Sequence, residues 1–259
     1  MSELDGQVVL ITGAAERAGR ALATGLANRG ARLVVNHLPS QASQAAEVVA
    51  AIRRAGSEAV AVSADITDAA QATQLVNGAI DAFGRLDVLI HNASSFTPRP
   101  FLDVQPADFD ASLGINLRGP FFVSQAAARV MLEQPDGGRI LALIGNSLSE
   151  AWPDFVPHTI GKTGLARLME QLAVALSPRV QCNSVAPSQF FTSDDGANDA
   201  LRQSRGEEVA GGRLFRHTSG TDFREVDLDD VLRVLIDLCV APRSLTGATI
   251  RLDGGRALA

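Results

Sequence analysis

Short runs of consecutive apolar residues alternate along the chain with longer segments whose apolar positions recur every three or four residues. The runs that predict strands lie at 8–11, 33–35, 59–62, 86–90, 139–144 and 180–185. The first of them, 8–11, has no polar face, which is typical of a strand buried in a parallel sheet. The segments between them have the helical period, and several end at a glycine. This alternation predicts an α/β fold, a doubly wound parallel sheet of about seven strands with helices on both faces.

The first apolar run leads into a loop bounded by glycines and then into a helix. Thr12 and Gly13 end the strand, and the helical pattern begins at Arg17 and includes Gly19. A strand that turns tightly into a helix points unpaired backbone N–H groups at one spot, which attracts a phosphate. We therefore expect the pyrophosphate of a dinucleotide to bind here, and an ordinary tight turn is the alternative.

Composition narrows the class of protein. With 259 residues and 46% hydrophobic content, the chain suits one packed domain. Its net charge of −6 and its lack of a Lys/Arg run argue against nucleic acid as a partner, and no apolar run approaches the roughly 18 residues of a membrane span. We expect a cytoplasmic protein with no bound metal, in which Cys182 and Cys239 are buried free thiols.

The second apolar run ends at Asn36 and His37 without an acidic residue. In dinucleotide folds an acid at this strand end binds the adenosine ribose, and its absence leaves room for a 2′-phosphate. Arg17, His37 and Ser40 are the side chains expected to surround that phosphate. We therefore expect NADP(H) rather than NAD(H), with a solvated loop position as the alternative for His37.

Together, these motifs resemble those of the short-chain dehydrogenase/reductase family. Thr12-Gly13-x-x-x-Arg17-x-Gly19 resembles the family's TGxxxGxG with Arg at the middle glycine, and the resemblance continues over residues 7–255. That Arg and the turn at 92–96, NASSF, look like the pteridine reductase branch. The resemblance implies a single Rossmann-type domain over 1–259 and an NADPH-dependent oxidoreductase. It also implies a homo-oligomer, a dimer or tetramer, with helix 121–131 at an interface.

The resemblance also implies which residues contact the ligands. Asp65 is similar to the family's Asp at the adenine ring, although a helix N-cap is a competing interpretation. The other implied cofactor contacts are Asn92, Ala93, Lys162, Pro187 and Thr192. For the substrate, a pterin-like or other carbonyl or imine compound, the implied contacts are Arg17, Ser94, Phe96 and Gly145. In that branch the Phe stacks on the flat pterin ring. An irregular polar segment at about 188–226 predicts a lid over the substrate.

The catalytic centre departs from the family pattern. His158 stands where the family has Tyr, four residues before Lys162 on the same helix face, and the chain contains no Tyr. Gly145 stands where the family has Ser, or Asp in pteridine reductases. Asn116 resembles the family's active-site Asn, which opens a helix locally and holds a water that relays protons to the Lys. The neighbouring Asn146 or Ser147 would replace the missing hydroxyl only if a bulge brought it in.

These substitutions leave three hypotheses. The first, which we favour, is an NADPH-dependent reductase with His158 as a substitute proton donor, although Lys162 should lower the pKa of the imidazole and make it a poor acid at pH 7. The second is a catalytically impaired regulatory protein that binds NADP(H) and a pterin. The third is a non-redox enzyme, a dehydratase or isomerase, with His158 as its base. A substitution without function is the remaining alternative for His158.

Overall fold

A parallel sheet of seven strands forms the centre of the protein. The computed structural model describes residues 2–188, 208–211, 214–216, 222–224 and 226–258. The strands in this part of the chain are β1 (Val8–Ile11), β2 (Arg32–His37), β3 (Ala59–Ser63), β4 (Val88–His91), β5 (Gly138–Leu143), β6 (Val180–Pro187), β7 (Glu208–Gly211), β8 (Leu214–Arg216), β9 (Asp222–Arg224) and β10 (Thr249–Leu252). The central sheet has the order β3-β2-β1-β4-β5-β6-β10, and all neighbouring strands in it are parallel.

Helices cover both faces of this sheet, as the sequence predicts. The α-helices in the described residues are α1 (Arg17–Ala27), α2 (Ala42–Arg54), α3 (Ala69–Phe83), α4 (Pro106–Leu113), α5 (Gly119–Glu133), α6 (Val156–Ala175) and α7 (Leu228–Val240). Buried residues of α1, α2 and α7 belong to one apolar core, and those of α3, α5 and α6 belong to a second. Each helix buries one apolar stripe, such as Leu22 and Leu26 of α1, which is why the helical period is visible in the sequence.

The strand order explains where a ligand can bind. The connection from β1 leads to β2 on one side, whereas β4 pairs with β1 on the other side. Two connections that leave in opposite directions open a crevice at the carboxyl ends of the strands. The turns after β1, β4, β5 and β6 all lie at this edge, and they carry most of the residues singled out in the sequence.

The segment predicted as a lid is described only in part. The strands β7, β8 and β9 form a separate antiparallel sheet inside it. Thr192, predicted to contact the cofactor, lies outside the described residues. The lid at 188–226 and the single domain over 1–259 stay predictions.

Both cysteines are buried free thiols, as the sequence predicts. Burial raises the pKa of Cys182 and of Cys239 to about 12, which makes both thiols unreactive. Within the part of the chain that the structure describes, no helix is long and apolar enough to cross a membrane.

Candidate active site

The turn after β1 forms a cradle in which two glycines are sterically required. Gly13 has a φ of +61°, and a Cβ there would lie 3.0 Å from Cα of Ala93. At Gly19, in the first turn of α1, a Cβ would lie 2.2 Å from the carbonyl oxygen of Gly13. Glu16 at the N-cap makes no side-chain capping bond, so the backbone N–H groups at the start of α1 are available to bind an anion. The cradle therefore fits the pyrophosphate of a dinucleotide.

Thr12 and Asn92 fasten this cradle to the turn after β4. Oγ1 of Thr12 accepts hydrogen bonds from the N–H groups of Asn92 and Ala93 at 3.0 and 3.1 Å. Nδ2 of Asn92 donates to the carbonyl oxygens of Thr12 and Gly13 at 2.9 and 3.0 Å. Thr12 is completely buried, so it supports the cradle from beneath.

His158 and Lys162 lie one helical turn apart near the start of α6. Nζ of Lys162 donates to the carbonyl oxygen of Leu143 at 2.9 Å, and burial lowers the pKa of this amine to about 8. Nδ1 of His158 lies 2.8 Å from the carbonyl oxygen of Ser95. Burial and then the charge of Lys162 lower the pKa of His158 to about 4. The imidazole is therefore neutral at pH 7, which does not favour the predicted role of proton donor.

Asn116 lies in a π-helical segment, Gly114–Arg118, that interrupts the path from α4 to α5. Such a segment is the local helix opening expected at this position. Nδ2 of Asn116 donates to the carbonyl oxygens of Ser95 and Ser112 at 3.1 and 3.0 Å, and its Oδ1 accepts from Oγ of Ser94 at 2.8 Å. Asn116 is completely buried, and its side-chain amide is bonded to protein groups, while the water-holding role stays a prediction.

Aromatic rings surround His158. The Phe96 ring contacts the imidazole edge to face, with centroids 4.9 Å apart, and the Trp152 ring lies nearly parallel to it at 6.1 Å. Phe96 also stacks on Phe155, with centroids 4.2 Å apart and an interplanar angle of 14°. One face of Phe96 is therefore already covered by protein, which limits its use as a platform for a flat substrate.

His91, the last residue of β4, is buried behind the catalytic centre. One ring nitrogen, Nε2, lies 2.7 Å from Oγ of Ser124, and the other has no partner among the described residues. Burial and then Lys162 lower the pKa of His91 to about 3. This histidine is therefore neutral, which fits a structural role.

A single cavity of about 420 Å³ joins the cradle to His158. The glycine turn, Lys162, Trp152 and Phe96 all line it. Among the described residues, no group of three or more His, Cys, Asp or Glu could hold a metal. The cavity offers a nucleotide site and a reaction site that are continuous with each other.

Comparison with known proteins identifies the family. The sequence matches the short chain dehydrogenase family over residues 7–200. The chain belongs to this family. It is 35% identical to an L-rhamnose 1-dehydrogenase (NAD(P)(+)) of Azotobacter vinelandii over 259 residues, covering 96% of each chain. It is also 35% identical to a protein of the same name from Sphingomonas sp. over 260 residues, covering 98% of each. The fold resembles a dehydrogenase/reductase from Sinorhizobium meliloti 1021, with TM-score 0.80, 31% identity and coverage of 99% and 96%.

The family and these relatives make the protein an NAD(P)-dependent oxidoreductase. They do not support the finer resemblance to pteridine reductases, because both relatives are named for a sugar. The motifs that suggested a pteridine reductase, Arg17 and the 92–96 turn, are short. Short motifs of this kind are weaker evidence of a substrate than similarity over the whole chain.

Arg17 stands where the family motif has its middle glycine, and the structure shows why glycine is usual there. The φ of Arg17 is +52°, in the left-handed region that side chains disfavour. Arg17 nevertheless keeps this backbone, and its exposed side chain lines the cavity beside the cradle. This position is compatible with both predicted contacts, one to the cofactor and one to the substrate.

At the end of β2, Asn36 takes the place of the acid found in many dinucleotide folds. Its Oδ1 accepts from the N–H of Gly13 at 3.1 Å, and its Nδ2 donates to the carbonyl oxygen of Ala64 at 3.0 Å. His37 lines the cavity, with Nδ1 lying 2.8 Å from the carbonyl oxygen of Leu38. Ser40 is exposed and is not among the lining residues, so the structure brings only two of the three predicted phosphate ligands together.

Asp65 caps the following turn rather than facing the cavity. Its Oδ1 accepts from N and Oγ1 of Thr67 at 2.9 and 2.8 Å, while its neighbours Ala64 and Ile66 line the cavity. The structure therefore favours a local capping role over a contact with adenine. The helix α3 has its own cap, since Oδ1 of Asp68 accepts from the N–H groups of Ala70 and Gln71.

Gly145 lines the cavity where the family has Ser, and its φ is +73°. No atom lies within 4 Å of a Cβ built there, but a side chain would strain the backbone. Asn146 and Ser147 are buried and do not line the cavity, and Nδ2 of Asn146 donates to Oε1 of Glu150 at 2.6 Å. Neither Asn146 nor Ser147 therefore takes the place of the missing Ser.

The other predicted contacts lie along the same cavity. Asn92, Ala93, Ser94 and Phe96 from the turn after β4 all line it, as does Pro187 at the end of β6. The sequence analysis missed the carboxylate of Glu16 and the backbone carbonyl of Ser95. The structure also places Trp152 beside His158 in the cavity lining.

Proposed function

We propose that the protein is an NADP(H)-dependent dehydrogenase of a small polyhydroxy compound, a sugar or related alcohol. The observation that carries this proposal is the continuous cavity, which has a glycine cradle at one end and His158 at the other. A nicotinamide bound there would supply hydride transfer. The names of the relatives, both L-rhamnose 1-dehydrogenases, suggest the substrate class.

Each proposed role follows from a position in the cavity. Gly13, Gly19 and Asn92 shape the pyrophosphate site, and Lys162 binds the ribose next to the nicotinamide. NADP(H) is the favoured cofactor because β2 ends without an acid and because Arg17 and His37 line the adenosine end. The two relatives use NAD(P)(+), so discrimination between the two nucleotides is a property to measure rather than to assume.

Apolar side chains on two helices suggest a homo-oligomer. Phe121 on α5 is 44% exposed, and Ile160 and Val174 on α6 are 46% and 80% exposed. Large apolar groups on neighbouring helices are candidates for an interface between copies. This agrees with the expectation of a dimer or tetramer, which a sedimentation measurement can decide.

A turnover assay tests the function. We expect NADP⁺ to be reduced in the presence of L-rhamnose or a related aldose, with formation of NADPH followed by absorbance. Oxidation of NADPH in the presence of dihydrobiopterin should be much slower than reduction of NADP⁺ by the aldose. Nucleotide binding without turnover of any substrate would favour the regulatory hypothesis, and conversion of substrate without a change in the nucleotide would favour a dehydratase or isomerase.

A further inference from the structure

The geometry points to Nε2 of His158 as the atom that takes the proton from the substrate hydroxyl, with Asn116 as a positioning residue that acts through the carbonyl of Ser95. This inference rests on the proposed dehydrogenase function and adds to it which atom accepts the proton. In the direction of substrate oxidation this is the reverse of the proton donation that the sequence suggested for His158, and it gives the side chain of Asn116 a contact that the sequence did not indicate.

The carbonyl of Ser95 selects one tautomer of the imidazole. Nδ1 of His158 lies 2.8 Å from this oxygen, and a carbonyl oxygen can only accept a hydrogen bond. The proton of the neutral ring therefore resides on Nδ1. Nε2 is left with its lone pair, and it has no hydrogen-bond partner among the described residues.

Asn116 holds that carbonyl in place. Its Nδ2 donates to the oxygen of Ser95 at 3.1 Å, so the oxygen accepts from Asn116 and His158 together. Oδ1 of Asn116 in turn accepts from Ser94, which fixes the orientation of the amide. The π-helical segment allows the buried Asn116 to reach the 94–95 turn.

The neighbouring rings keep the imidazole in this orientation. Trp152 lies nearly parallel to it, with an interplanar angle of 10°, and Phe96 contacts its edge. A flip of the ring would exchange the two nitrogens and lose the bond to Ser95. Since His158 lines the cavity and Nδ1 is bound to protein, Nε2 is the nitrogen available to a substrate.

The chemical step is balanced with NADP⁺ as the oxidant. The substrate C–H bond breaks and both of its electrons pass with the hydrogen to the nicotinamide, while the O–H bond breaks and its proton passes to Nε2. A C=O bond forms on the substrate, and the imidazolium then releases its proton to water. The neutral ring with its proton on Nδ1, inferred from the contact with Ser95, is the form that this direction requires.

The test is a measurement of the tautomer in the full-length protein without added ligand. In protein labelled with ¹⁵N-histidine, the two ring nitrogens of each of the four histidines are resolved by NMR at pH 7. The signals of His158 are those that disappear in His158→Gln. We expect a protonated Nδ1 and an unprotonated Nε2, and a protonated Nε2 would overturn the proposal whatever the activity.

A variant tests the positioning role of Asn116. We expect Asn116→Ala to give a mixture of the two tautomers and to lower kcat by about 10- to 100-fold, with the Kd for NADP⁺ within about twofold of wild type. Asn77→Ala makes the same change at an exposed position of α3, and it should alter neither the tautomer of His158 nor kcat. An unchanged tautomer in folded Asn116→Ala would overturn this role.

The two proposals fail in different ways. If Asn116→Ala does not fold, the tautomer of the wild-type protein still decides whether Nε2 is free to accept the proton, and a protonated Nε2 still overturns the proposal. Failure of the dehydrogenase function itself would appear as absence of turnover while the NMR signals show the expected tautomer.

Discussion

Glu16 places a carboxylate at the end of the cavity proposed for adenosine. Its Oε2 accepts a hydrogen bond from Nε2 of Gln41 at 3.1 Å, and both residues line the cavity. A 2′-phosphate bound there would have the same sign of charge. The carboxylate therefore weakens the preference for NADP(H) that Arg17 and His37 favour, and it can accept a hydrogen bond from the 2′-hydroxyl of NAD(H).

We expect Glu16→Gln to tighten NADPH binding by about 3- to 10-fold, which corresponds to about 1 kcal/mol, and to leave the Kd for NADH within about twofold. The matched control is Glu47→Gln on α2, where an exposed Glu pairs with Arg20. Fluorescence titration with both nucleotides measures the effect. Equal changes for NADPH and NADH would show that Glu16 does not lie near the 2′-position.

At the residue scale, the sequence reveals functional side chains more readily than functional backbone groups. His158, Lys162 and Asn116 could be found from motif spacing because their side chains are unusual at those positions. Ser95 acts through its carbonyl, which every residue has, so no residue type signals it. Glu16 is joined to the 38–41 turn by the hydrogen bond from Gln41, and motif spacing does not reveal this contact between distant positions.

At the scale of elements, the apolar runs predict the strands to within a few residues. Val8–Ile11 is predicted in full because both faces of β1 are buried. Asp65 was ambiguous, since the sequence alone could not say whether its carboxylate caps a turn or faces a ligand. The structure favours the cap because Oδ1 of Asp65 accepts hydrogen bonds from both N and Oγ1 of Thr67.

The 145–155 loop shows the limit of element-level prediction. Family spacing aligns Gly145 with a Ser, but the positive φ of Gly145 shows that the backbone there differs in conformation from one suited to a side chain. The loop then forms two short 3₁₀ turns, Asn146–Leu148 and Pro153–Phe155. Substituting Ser at this position therefore does not by itself restore the family's site.

At the scale of the whole molecule, two buried neutral histidines link stability to pH. The pKa of His158 is lowered to about 4 and that of His91 to about 3, both below the ordinary value near 6.5. Between those values the unfolded chain binds more protons than the folded one. Stability is therefore present in full above pH 6.5 and is lost as the pH falls.

We expect each of these histidines to cost about 1 kcal/mol of stability between pH 6.5 and 5.5, with a limiting slope of about 1.4 kcal/mol per pH unit at lower pH. Urea unfolding at pH 6.5 and pH 5.5 measures this loss. His91→Asn removes one of the two groups and should lose about half as much over the same interval. A variant with the same pH dependence as wild type would show that His91 is protonated in the folded protein.

The central claim is that the cradle after β1 binds a nicotinamide dinucleotide. The most direct measurement is calorimetric titration of NADPH into the wild-type protein and into Gly19→Ala, whose new Cβ would meet the carbonyl oxygen of Gly13 at 2.2 Å. Circular dichroism checks that the variant is folded. We predict one site per chain in the wild type and at least about tenfold weaker binding in the variant. Absence of binding by the wild type to either NADPH or NADH, or equal binding by a folded variant, would contradict the account.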